Sequence, residues 1–68
     1  MELKVGDKIT YMYDNNELGE GFICHQGDID FGEEKHYRWF NKDGDIDYID
    51  LNDLDDVRRI KILGNIFT

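Results

Sequence analysis

Apolar and polar residues alternate with a period of two along most of this chain, and no window sustains the 3.6-residue period of an amphipathic helix. In "DKITYMY" (7–13), Ile9, Tyr11 and Tyr13 share one face and Lys8, Thr10 and Met12 the other. "DNNELGEG" (14–21) is turn material, and "GFICHQ" (21–26) is a second strand. "GDIDFGEE" (27–34) reads as an irregular loop, with Ile29 and Phe31 available to anchor it. "KHYRWFN" (35–41) is a third strand, rich in aromatics, and "DIDYIDL" (45–51) a fourth. "NDLDD" (52–56) reads as one helical turn, with Asn52 or Asp53 able to cap it. "VRRIKIL" (57–63) is the fifth strand, with Ile60 and Ile62 on one face and Arg59 and Lys61 on the other.

Five short strands with tight turns predict an all-β domain closed, or nearly closed, into a small barrel, because closure removes the edge strands that invite aggregation. The predicted core is Val5, Ile9, Tyr11, Ile23, Phe40, Ile46, Ile49, Leu51, Leu54, Ile60 and Ile62. In the tail, Ile66 and Phe67 are expected either to close the barrel against the first strand or to form a homodimer contact, so the chain is expected to be a monomer or a homodimer.

Sixty-eight residues suffice for one domain, read here as spanning 1–68 and complete, since Met1 leads straight into patterned sequence. Cys24 is the only cysteine, so no disulfide forms within the chain, and Cys24, His25 and His36 are too few for a usual zinc site. No signal peptide or membrane-spanning stretch is present, which leads us to expect a cytoplasmic protein. The net charge is −8, from sixteen acids against eight bases. Such a charge repels nucleic acid and anionic membranes and favours a basic partner.

The run "KVGDKITYMY", then "GEGFICHQ", then "HYRWFNKDGDIDYIDLNDLDDV" resembles the SH3-like small barrels, in particular their Tudor and KOW-type branches. A "VGD" opening, a glycine-led second strand, an Asp-Gly hairpin and a leucine-containing turn before the last strand carry the resemblance, which covers nearly the whole chain. It implies a five-stranded barrel with one short helical turn. In its Tudor form it implies an aromatic cage for a cationic side chain or peptide, for which Tyr13, Trp39, Phe40 and Tyr48 are the nearest positions. In size and acidity the chain is also similar in style to small phage or prophage proteins that bind and disable host factors.

"NKDGDIDYIDLNDLDD" (41–56) holds seven aspartates. With Gly44 at the sixth position of an EF-hand loop, Asn41, Asp43, Asp47 and Asp50 fall at positions 3, 5, 9 and 12. Position 1 is then Trp39, which has no oxygen ligand, and the flanks read as strands, so calcium is not expected. Asn41, Asp43 and Gly44 are explained by a hairpin turn. The acids left over are Asp45, Asp47, Asp50, Asp53, Asp55 and Asp56. Asp is a poor strand former, and like charges repel, so these acids read either as a face used in binding or as a merely solvated one.

Catalysis finds little support: Cys24 and His25 are neighbours on a strand and cannot form a dyad, and no phosphate loop or triad order is present. The expected function is therefore that of a non-enzymatic acidic protein without cofactor. It would engage the basic surface of a partner protein through Asp45, Asp47, Asp50, Asp53, Asp55 and Asp56, with Trp39 or Tyr48 as apolar anchor. Its narrower form is imitation of nucleic-acid phosphates to inhibit a nucleic-acid-binding host protein. The alternative is the Tudor-like cage.

Overall fold

The computed structural model describes residues 1–27 and 35–68; the expected loop anchors Ile29 and Phe31 lie outside the described residues. Five strands and one helix follow in order: β1 (Asp7–Met12), β2 (Leu18–Gln26), β3 (His36–Asn41), β4 (Ile46–Asp50), α1 (Leu54–Arg59) and β5 (Ile60–Asn65). They form one antiparallel sheet in the order β4-β3-β2-β1-β5. All-β architecture, strand number and a short helix before the last strand are as the pattern predicts. The barrel does not close. β4 and β5 lie at opposite edges of the sheet, because residues 54–59 cross between them as a helix packed on β1 and β4.

Local chemistry sets the elements. Gly6 turns the chain at φ 91°, and the buried Asp7 carboxylate accepts the Lys4 N–H at 2.8 Å and the Asn65 side-chain N–H at 2.8 Å. That pair of bonds ties the first turn to the end of β5. The first hairpin is tighter than expected: Tyr13 N–H donates to the Glu17 carbonyl and Asn16 is left-handed at φ 63°, so β2 begins at Leu18. The second hairpin is organised by Asn41, whose side-chain oxygen accepts the N–H groups of Asp43 and Asp45, both at 3.0 Å. Gly44 follows at φ 88°.

The helix starts two residues later than the pattern suggests and runs through Val57, Arg58 and Arg59, which were expected to open β5. Asp53 caps it by accepting the Asp55 N–H at 2.9 Å. Asp55 and Asp56 lie in its first turn and Arg58 and Arg59 in its last, the arrangement that complements the helix dipole. An i,i+4 pair, Asp55–Arg59 at 2.9 Å, supports it further.

The core lies on one face of the sheet: Leu3, Ile9, Ile23, Tyr37, Trp39, Ile49 and Ile60. Tyr11, Tyr13 and Leu51 pack against it. Five expected core residues are instead exposed: Val5, Phe40, Ile46, Leu54 and Ile62. Phase explains two of them. Phe40 shares its strand face with His36 and Arg38, and Ile46 shares its own with Tyr48 and Asp50, so burying either would have buried charge. Ile62 pairs with Ile9 but lies on the free edge strand. Leu54 and Val5 fall outside the sheet altogether.

Candidate partner-binding surface

Each acid expected to bind a partner has a definite place, and most have a structural partner within the chain. Asp47 lies on the core side of β4. It accepts the Tyr13 hydroxyl at 2.8 Å and the Asn41 side-chain N–H at 3.3 Å. Asp50 accepts the Asn52 N–H at 2.8 Å and pairs with His36 Nε2 at 3.3 Å. The Asn52 N–H chiefly, with His36 adding to it, holds its carboxyl below the usual carboxylate range. Asp56 accepts the Tyr11 hydroxyl at 2.7 Å and the Asp50 N–H at 3.0 Å. Asp53 is the helix cap, and Asp55 pairs with Arg59. The Asp45 carboxylate alone among the six is exposed and makes no bond to the described residues.

These bonds place the charges without removing them. Phenols and amides are neutral donors, so the bonds to Asp47, Asp53 and Asp56 bring no countercharge. The rise of the Tyr13 hydroxyl to about 12, caused first by burial and then by Asp47, reflects the neighbouring carboxylate. Arg59 supplies a countercharge, shared between Asp55 and Asp14, both within 2.9 Å, while its Nη1 donates to the Met12 carbonyl. Over 45–59, six aspartates face Arg58 and Arg59 and no other base.

α1 buries none of its residues. Leu54, flanked by Asp53 and Asp55, is 70% exposed. Sequence reasoning assigned Leu54 to the core; the signal against that was the helix itself, too short to offer an apolar stripe of more than Leu54 and Val57.

Trp39 cannot serve as an anchor, and this corrects the expectation from sequence. It is 1% exposed, with Tyr11 and Tyr13 ring centroids at 6.0 and 6.4 Å. Its strand partner Ile23 lies opposite it in the core. Tyr48 is 71% exposed, on the other face of β4, with the Arg38 guanidinium 5.7 Å from its ring centre. The four residues of the expected cage are thus split. Tyr13 and Trp39 belong to the core face, and Phe40 and Tyr48 to the outer face, so no shared cage forms.

Among the described residues, no three His, Cys, Asp or Glu side chains are grouped to hold a metal ion, and no helix is long and apolar enough to cross a membrane. Cys24 is an exposed residue at an irregularity of the β2–β3 ladder, its thiol 3.5 Å from the Arg38 carbonyl oxygen.

No known protein-family model matches the chain, and neither a curated protein nor a solved structure matches it at a significant level.

Proposed function

We propose that this chain is a non-enzymatic binding protein whose acids, on and before α1 and at Asp45 just before β4, engage a basic surface on a partner protein. The observation that carries the reading is α1 itself: a helix that buries none of its residues and presents Leu54 between Asp53 and Asp55. Such a helix adds little to the core. It is held by a cap, by Asp56 on β1 and β4 and by Arg59 on the first hairpin, all polar ties. An exposed apolar side chain flanked by acids fits a partner whose own apolar contact is rimmed by Lys or Arg.

Leu54 replaces Trp39 as the apolar anchor in this reading, and Asp45 and Asp53 are the acids whose outward charge binding can use. Imitation of nucleic-acid phosphates, in the manner of small phage proteins that disable host factors, is the narrower form of the proposal. The exposed carboxylates of Asp45 and Asp53 support it. Five short antiparallel strands with a helix before the last support the likeness to SH3-like folds. The divided aromatics give no support to a cage.

The test compares wild type with Asp45→Asn/Asp53→Asn and with Leu54→Ala as baits in a native-cell extract, read by quantitative mass spectrometry. Asn caps a helix as well as Asp, and Leu54 is exposed, so the variants keep the fold. Proteins retained by wild type should be lost from both variants, the loss from the Asn variant shrinking as salt rises. Equal retention by all three baits would end this reading.

A further inference from the structure

The face of the sheet opposite the core carries an apolar row that stays partly exposed and has no packing partner among the described residues. Phe22 pairs with Phe40, and Phe40 with Ile46, so the three side chains line up across β2, β3 and β4. They are 37%, 48% and 52% exposed. Met12 and Leu18, themselves paired, lie on the same face, and Tyr48 stands one row away from Ile46. At the other end of the row, a cleft of 210 Å³ between Phe22, Leu63 and Ile66 continues the apolar surface towards the C-terminus. Monomeric proteins rarely leave so much contiguous apolar surface open.

The charge on this face says what can cover it. Its charged residues are Lys8, Arg38 and Lys61 against Glu20 and Asp50, with Lys8 and Glu20 paired at 2.9 Å. The chain has sixteen acids and eight bases, and residues 28–34 hold four of those acids. Of the twelve acids and eight bases that remain, the face takes two and three, which leaves ten acids against five bases elsewhere. Among the described residues the outer face is therefore close to neutral on a strongly acidic molecule. Those residues exert no net attraction on a basic partner, and two copies can bring them together with only Glu20 and Asp50 of each among the described acids.

We infer that the outer face is a homodimer interface, with the Phe22–Phe40–Ile46 row of one copy packed on that of the other as two stacked sheets about 10 Å apart. The area suffices. A standard interface covers about 800 Å² per partner, roughly one sixth of the 4803 Å² this chain exposes. A two-fold axis through the row makes the contact isologous and closed. Because α1 lies on the core side, bonded through Asp56 to Tyr11, the dimer leaves both acidic flanks free and pointing apart. The inference is independent of the proposed partner and would turn that module into a bivalent one.

Sedimentation equilibrium of the full chain at micromolar to submillimolar concentration in 0.15 M salt tests it. Wild type should sediment at twice 8.1 kDa. Phe22→Thr/Phe40→Thr, which keeps strand-forming side chains, should weaken the dimer at least tenfold while its circular dichroism stays that of the wild type. Asp45→Asn/Asp53→Asn should remain dimeric, which separates this surface from the acidic flank. A wild type that stays at 8.1 kDa throughout would overturn the inference, and so would a dimer that the folded Thr variant leaves unchanged.

Discussion

The Tyr11 hydroxyl donates a 2.7 Å hydrogen bond to Asp56 across 45 residues of sequence, and the same carboxylate accepts the Asp50 N–H at 3.0 Å. One acid thus joins α1 to β1, an interior strand beside the β5 edge, and to β4 at the opposite edge. Because no residue of α1 is fully buried, this polar joint does what an apolar stripe does in longer helices. Burial first, and then Asp56, push the Tyr11 hydroxyl well above its ordinary range.

Tyr11→Phe should therefore destabilise the fold by about 1.5 kcal/mol, the scale of a hydrogen bond to a charged group. Asp56→Ala, which also frees the Asp50 N–H, should cost about 2–3 kcal/mol on the same scale. The two losses should not add in a double-mutant cycle by urea unfolding, with Trp39 fluorescence as readout. Full additivity would mean that the joint carries no energy.

Trp39→Ala should cost at least about 3–5 kcal/mol, enough to unfold a domain of this size. Gly21→Ala should do comparable damage by a different route. A Cβ there would stand 2.0 Å from the Phe40 carbonyl oxygen, forcing β2 and β3 apart. Leu54→Ala should change the melting temperature little. A folded Trp39→Ala variant that had merely lost partner binding would return the indole to the surface.

Much of this was legible in the chain, and what was not has physical causes. Period-two alternation with glycine and asparagine turns was enough to place the strands and the first residues of the core, Ile9, Ile23, Ile49 and Ile60. Phase in β3 was misread because Trp39 and Phe40 are adjacent and both apolar; their polar neighbours His36 and Arg38 held the answer, since they share a face with Phe40. Openness of the sheet could not be read, because it depends on how the β4–β5 connection is spent. The roles of the acids could not be read either. The hydroxyl partners of Asp47 and Asp56 lie 34 and 45 residues away, and only the folded sheet brings them near.

Calcium in the millimolar range should leave the melting temperature unchanged. The hairpin that resembles a calcium loop has its third-position residue, Asn41, buried and fully engaged: its oxygen accepts two backbone N–H groups and its nitrogen donates to Asp47. Binding would have to break the turn before forming the site. A rise of several degrees with calcium but not magnesium would contradict this.

Stability should fall towards both ends of the pH scale, for opposite reasons. The Asp50 carboxyl is lowered from 3.8 by the Asn52 N–H and by His36, so its contribution is present above that value and lost as pH falls through the lower folded value. Asp50→Asn should flatten the acid limb. The Tyr13 hydroxyl is raised from 10.0 to about 12 by burial and by the bond to Asp47. A proton held more tightly in the folded than in the unfolded chain stabilises the fold below pH 10 and ceases to do so between pH 10 and about pH 12. Asp47→Asn keeps an acceptor for the hydroxyl but removes the charge, so it should bring the Tyr13 ionisation to lower pH. Tyrosinate absorbance, compared between wild type, Asp47→Asn and Tyr13→Phe, identifies the step. If wild type and Asp47→Asn titrate alike, the carboxylate is not what holds that proton, and Asp47 would have to be counted among the acids available to a partner.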